Sequence, residues 1–505
     1  MKRFRFIAVV IFLQVTILYS ISGQTESSSL NGLYDFKIRF SYTDKISKTP
    51  IDGRIIVGFH NNVYKPINNP DLFDSQPTFA CDFSNWKPGE SVVLDGSNAT
   101  SWMGNLNSLN GWYGVQAVLK INKKARSLEA KGNALTIKNI VYIEKGKMCR
   151  PLDLLFTISL SGPQKFAEKE FVKEVNLDSP LLTEFYREPH SIQAAVILPR
   201  SYFTDSTRTY PSVYVFGGWG SSHYDALAEY PQKRYGMYGF GEEKVFVFVN
   251  HEFRAGYHVF CSSETNGPRE ETFFRELVPF IENEYRVNKD PQTRFLLGQS
   301  SGAWAGLWLL INYSNQFGSA YVASPDPVDF TDFTGTNIYE KNANMYFDSK
   351  GEIKYLLEKI SMKDFVGLDR IAGWGEQMYS FDAAFSRRNS DGQPQRLFDW
   401  DTGLINSEVA THWEKHDLSK VVSRLDRKKR KLLQDKIHIY VAEDDSFGLN
   451  RPVHSFQKIL QKKGIHSDIR FLPSGGHNIW TDELRNMIHR DMDDVIHEST
   501  NKKVK

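Results

Sequence analysis

Cysteine is scarce in this sequence: 505 residues carry three, Cys81, Cys149 and Cys261. That excludes a small fold stapled by several disulfides, since one bridge at most can form. Cys81 and Cys149 both fall in the first half and are the expected pair; Cys261 follows an apolar segment and reads as a lone buried or semi-buried thiol. No cysteine or histidine cluster has zinc-ligand spacing, so no metal is expected. An excess of charge of one sign is also missing. The formal net charge is +2, with acids and bases mixed throughout, which argues against nucleic acid or an acidic surface as the main partner. Long apolar runs are missing too, apart from one at the start of the chain.

That run, Phe6 to Leu18, follows Lys2, Arg3 and Arg5 and precedes the small residues Ser20, Ser22 and Gly23. The pattern predicts a secretory signal peptide over 1–23, hence a secreted or periplasmic protein. The apolar core is short for a membrane span and is interrupted by Gln14, so no stable membrane insertion is expected once the leader is removed. What remains is too long for one compact core and predicts two domains. Aromatic residues make up 13% of the chain, a content that suits carbohydrate or aryl contact surfaces.

From about 30 to 163 the pattern is all-β. Short segments such as Tyr34 to Phe40, Arg54 to Phe59, Tyr113 to Ile121 and Leu154 to Leu160 alternate with gaps rich in Gly, Pro, Asn and Asp, which predicts a sandwich-like domain. Trp86, Trp102 and Trp112 serve equally well there as core or as ligand platform. A charged stretch from about Gln164 to Glu184 reads as the connection. Beyond it strands and helices alternate, with near-continuous apolar strands at Gln193 to Leu198, Ser212 to Phe216, Val245 to Val249, Arg294 to Leu297, Ser319 to Ala323 and Ile437 to Val441. The second domain, 172–496, is therefore expected to be α/β, a mostly parallel sheet flanked by helices.

In such folds chemistry gathers in the loops beyond the carboxyl ends of strands. Gly298-Gln299-Ser300-Ser301-Gly302 joins a strand to a helix of small and apolar residues and matches the G-x-S-x-G elbow, which lifts a serine to the apex of a strained turn. Ser300 is the expected nucleophile. The loop Gly217-Gly218-Trp219-Gly220 can turn backbone amides toward an oxyanion; Trp219 is the preferred donor, then Gly218, with the amide of Ser301 as the second. The loop Ala442 to Phe447 offers adjacent acids, of which Asp445 is preferred to Asp444 as partner for a base. Ser474-Gly475-Gly476-His477 follows the last strand and supplies that base, His477. His251 and His258 precede the serine and are read as structural or substrate-lining, and the segment containing Asn266 as part of the same mouth, with Gly218 also lining the substrate.

The order Ser300, Asp445, His477 is that of α/β-hydrolases. With Tyr210-Pro211-Ser212-Val213-Tyr214, Gly256-Tyr257-His258, Asn266-Gly267-Pro268, the GQSSGA elbow, VAEDDSF and SGGHN, the region from about 172 to 496 resembles the putative-esterase family, which includes esterase D, feruloyl and enterochelin esterases and the mycolyltransferases. The resemblance implies a serine carboxylic-ester hydrolase that works through an acyl-enzyme and needs no cofactor. It also implies a small-molecule or carbohydrate-linked ester as substrate. Transfer of the acyl group to another alcohol uses the same residues, and a binding protein on a hydrolase scaffold is the alternative from another class. Two features depart from the family: Gly217-Gly218 stands where many members have His-Gly, and about 330–431 is a long insertion, resembling an exported subgroup with an N-terminal β domain, that is expected to form a lid or wall.

Overall fold

The computed structural model describes residues 33–65, 70–357 and 359–504; the expected leader lies outside them. Eight strands build the central sheet: β1 (Val172–Asp178), β2 (Ser191–Ile197), β3 (Ser212–Phe216), β4 (Val245–Val249), β5 (Arg294–Gln299), β6 (Ser319–Ala323), β7 (Ile437–Ala442) and β8 (Asp468–Leu472), in the spatial order β1-β2-β4-β3-β5-β6-β7-β8. Only β2 runs against its neighbours; the pairs from β4 through β8 are parallel. Every residue of β3 to β7 is buried, as a sheet covered on both faces demands. This is the α/β-hydrolase architecture.

The stretch expected to be a connection contains β1. Its sequence VKEVNLD buries only Val172 and Val175, because an edge strand keeps one side in water and so carries polar residues that resemble a linker.

Helix α1 (Ser301–Asn312) follows β5, and all its residues except Asn312 are buried. A helix apolar all round needs cover on every side. The sheet supplies one side, the segment before β5 meets it through the Trp308 Nε1 bond to Glu270 at 2.8 Å, and the insertion between β6 and β7 covers another side: Trp304 lies 5.0 Å from Phe385, and Phe385 lies 5.1 Å from Trp413. Within the insertion, α2 (Met362–Ala372) starts on a Ser361–Asp364 capping box and α3 (Gln377–Phe385) runs next to it.

The N-terminal strands form one continuous eleven-stranded sheet. Strand Gly111–Lys120 pairs with Ile51–His60 along one edge and with Asn139–Glu144 and Ala134–Thr136 along the other, so the sheet curls around one core of residues such as Phe40, Val57, Phe59, Val115 and Phe156. Trp86 belongs to this core, Trp112 is exposed, and Trp102 reaches the insertion. The expected disulfide is absent: Cys81 points into the core opposite Ile55, whereas Cys149 is exposed, and both thiols are free. Cys261 is buried and free, its sulfur 3.3 Å from His416 Nδ1.

The two sheets are bound through the insertion. Arg54 donates to the carbonyls of Ile371 (2.7 Å) and Arg370 (2.6 Å), and Lys120 Nζ to those of Ala372 (3.0 Å) and Trp374 (2.9 Å). Two cations of the N-terminal sheet thus satisfy the carbonyl end of α2, where the helix presents unpaired acceptors and partial negative charge. Trp102 Nε1 donates to Asp364 O at 2.7 Å. Gly367 is required here, since a Cβ would stand 2.1 Å from the Trp102 ring.

Candidate active site

Ser300 sits between β5 and α1 with φ 56° and ψ −122°, a strained conformation for a non-glycine residue that costs on the order of 1–3 kcal/mol and persists only when its surroundings enforce it. They do so by contact. A Cβ on Gly302 would stand 2.2 Å from Phe216 O, and one on Gly298 would stand 2.5 Å from Gly302 O, so the elbow glycines are dictated by close approach of backbone. Gly218 also packs on the serine, its virtual Cβ 3.3 Å from Ser300 Cβ. The Ser300 side chain leaves the first turn of α1 uncapped, and the amide of Ser301 lies in that turn, where the helix presents donors and partial positive charge.

His477 Nδ1 lies 2.9 Å from Asp445 Oδ2. The other oxygen of Asp445 accepts the amides of Phe447 (2.9 Å) and Leu449 (3.2 Å), and its side chain has no exposed surface. Asp444 accepts the amide of Gly476 at 2.9 Å. The adjacent acids therefore divide the work: Asp445 faces the imidazole, and Asp444 ties down the glycine loop that carries it. The Phe447 ring meets His477 edge-on at 4.8 Å.

Ser300, His477, Gly218 and Trp219 line one cavity of about 730 Å3. His258 and Asn266 do not. His258 lines a separate cavity of about 170 Å3, and burial holds its imidazole well below the usual histidine range. Asn266 is fully buried and donates to the carbonyls of His258 (3.3 Å) and Cys261 (3.1 Å). Val259 and Phe260 adopt positive φ of 42° and 50°, and both polar side chains brace this strained turn outside the Ser300 cavity. Burial likewise pushes His251 down to about 3.

Three contributors went unnoticed at the level of sequence. Gln299 donates to His477 O at 2.9 Å and accepts from Trp480 Nε1 at 2.6 Å, anchoring the histidine loop to the elbow. Asp326, fully buried, accepts from Ser300 Oγ at 3.2 Å and Ser301 Oγ at 2.6 Å, and burial raises its pKa. It lies on the loop after β6, one more carboxyl-end loop that the same rule could have reached. Arg126 comes from the N-terminal domain. Its guanidinium lies 4.9 Å from the Trp219 ring centroid, 3.6 Å from Glu252 and 3.7 Å from Glu376; nothing local to Arg126 signals this.

Comparison with known proteins gives the following. The family model described as "Putative esterase" matches residues 189–482, more than half of the chain. Among solved structures, the chain is similar to a ferulic acid esterase at 17% identity and TM-score 0.39, covering 64% of this chain and 97% of that one. It is similar to an S-formylglutathione hydrolase from Agrobacterium tumefaciens at 14% identity and TM-score 0.39, covering 65% and 95%. MPT51 of Mycobacterium tuberculosis matches at 12% identity and TM-score 0.38, covering 66% and 99%. No curated protein matches.

Proposed function

Because the chain belongs to the putative-esterase family of α/β-hydrolases, enzymes that cleave carboxylic esters, we propose that Ser300, His477 and Asp445 form its catalytic triad. Asp445 holds the imidazole with Nδ1 protonated and Nε2 free as base. Ser300 Oγ attacks the acyl carbon as His477 Nε2 takes its proton, and the amides of Trp219 and Ser301 receive the oxyanion. Collapse breaks the ester C–O bond; His477 returns the proton to the leaving alcohol, and the acyl group stays on Ser300. Water then attacks the acyl-enzyme, giving its proton to His477, and release of the acid restores Ser300. In the resting arrangement Ser300 Oγ donates to Asp326, so the hydroxyl must redirect its proton from Asp326 to His477 before attack.

The observation that carries this reading is the His477–Asp445 pair at 2.9 Å, held by a carboxylate whose second oxygen is already anchored, in one cavity with a strained serine. We read residues 1–23 as an export signal and the substrate as a small-molecule or carbohydrate-linked ester. Among the described residues, no helix is long and apolar enough to cross a membrane. Labelling of the purified protein with a fluorophosphonate, alongside turnover of p-nitrophenyl acetate, tests the triad. The wild type is expected to label and turn over, and Ser300→Ala and His477→Ala to do neither. Full labelling of folded Ser300→Ala would refute the assignment.

A further inference from the structure

The cavity that holds Ser300 has a far wall supplied by the N-terminal sheet. Along strand Ile51–His60 the side chains alternate: Ile55, Val57 and Phe59 enter the core of that domain, while Ile56, Gly58 and His60 line the cavity. The neighbouring strands continue the same face. Val118 pairs beside Ile56, Gln116 beside Gly58, and Thr78 beside Gly58 on the other side. Across the space stand Met362, Phe365 and Leu368, at successive three-residue steps along one face of α2, and Met378 and Phe381 of α3. The result is a slot, apolar on the helical side and mixed on the sheet side, in the same cavity as Ser300 and within a volume typical of small-molecule sites.

Several of the charged groups around this slot are already engaged. Asp369 accepts the amide of Tyr379 at 2.7 Å, Glu376 faces Arg126 at 3.7 Å, and His60 and Lys65 both pair with Asp74. What the slot offers a ligand is an apolar face from α2 and α3, opposed by Ile56 and Val118 with Thr78, Gln116 and His60 at their side. Resting on the reading of Ser300 as nucleophile, we propose that this slot binds a bulky apolar group of the ester, with the outer face of the N-terminal sheet as the wall that sets its size. The small acyl and alcohol groups of simple esters leave it unfilled, so recognition depends on a residue set supplied by both domains.

The test is a pair of opposite changes at Val118 in the full chain. Val118→Trp fills the slot and Val118→Ala widens it. In one arm kcat/KM is measured for p-nitrophenyl octanoate and p-nitrophenyl acetate, which differ on the acyl side; in the other for naphthyl and methyl acetate, which differ on the alcohol side. Rates are normalised to fluorophosphonate-titrated sites, so an unfolded fraction does not distort them. Val118→Trp is expected to lower the bulky-to-small ratio by about tenfold or more in one arm, and Val118→Ala to raise it in that arm. That arm identifies whether the slot takes the acyl or the alcohol group. Ile137→Trp, at a position 64% exposed on the same domain, is expected to leave both ratios alone. Unchanged ratios in both Val118 variants, or an equal shift in Ile137→Trp, would overturn the proposal while the triad stands. A wild type that neither labels nor turns over would sink the triad and this proposal together.

Discussion

Gln299 shows how much a site can depend on a residue that no motif specifies. It occupies a free position of the elbow pentapeptide, yet its amide bridges His477 O and Trp480 Nε1, so one side chain fixes the spacing between nucleophile turn and histidine loop. Neither bond touches the reacting atoms; Gln299 is a positioning residue. Replacing it by leucine keeps the bulk and removes both bonds, leaving a loop carbonyl and an indole N–H to find other partners. The expected outcome for Gln299→Leu is a fall in kcat of about tenfold to a hundredfold, since small misplacement of a catalytic group is costly, with KM near the wild-type value. A matching drop in the rate of fluorophosphonate labelling would locate the loss in the chemistry. An effect on KM alone would place Gln299 in substrate binding.

At the scale of elements, the insertion is tied together by buried polar groups as well as aromatic rings. Asp382 of α3 is fully buried, its carboxylate accepts the amide of Leu397 at 2.9 Å, and burial raises its pKa from 3.8 to about 8. Between those values the folded chain keeps a proton that the unfolded chain has released, so this group's stabilisation is complete at acid pH and is lost as pH rises through the window. Asparagine keeps the acceptor and does not titrate. Asp382→Asn is therefore expected to match the wild type near about pH 5 and to gain a few degrees of Tm on it by about pH 8; melting curves that stay parallel across that range would show that Asp382 does not titrate there. The sequence exposed elements unevenly for related reasons. Strands β3 to β7 were legible as apolar runs because both their faces are covered. The placement of Ser300, Asp445 and His477 was legible because each lies in a loop next to such a strand. Strand β1 was hidden by its edge position, and His258 and Asn266 lie outside the Ser300 cavity because the loop that carries them folds as a buried turn. Gln299, Asp326 and Arg126 acquire their roles from partners far away in sequence, which no local pattern encodes.

At the scale of the whole molecule, the N-terminal domain is a structural part of the candidate active site. Arg54 and Lys120 close the carbonyl end of α2, strands of the same sheet wall the cavity, and Arg126 reaches the loop that carries Trp219. Arg126 is held from three directions. Its guanidinium lies over the Trp219 and Tyr257 rings at 4.9 and 5.7 Å and between the carboxylates of Glu252 and Glu376, and a Cβ on Gly375 would stand 2.5 Å from its own Cβ. A cation so placed orders the Trp219 loop by stacking on its indole while neutralising two half-buried acids. Removing it takes away the ion-pair partner of Glu252 and one of the two cations beside Glu376, and frees the loop whose amide is proposed to receive the oxyanion. Arg126→Ala is expected to lower kcat by about a hundredfold, the loss typical of a missing oxyanion donor, and to lower Tm as well. Because a compact ammonium cannot reproduce a planar stacked guanidinium, Arg126→Lys should restore Tm further than it restores kcat. Equal recovery of both would make Arg126 a plain charge partner and separate the N-terminal domain from the chemistry.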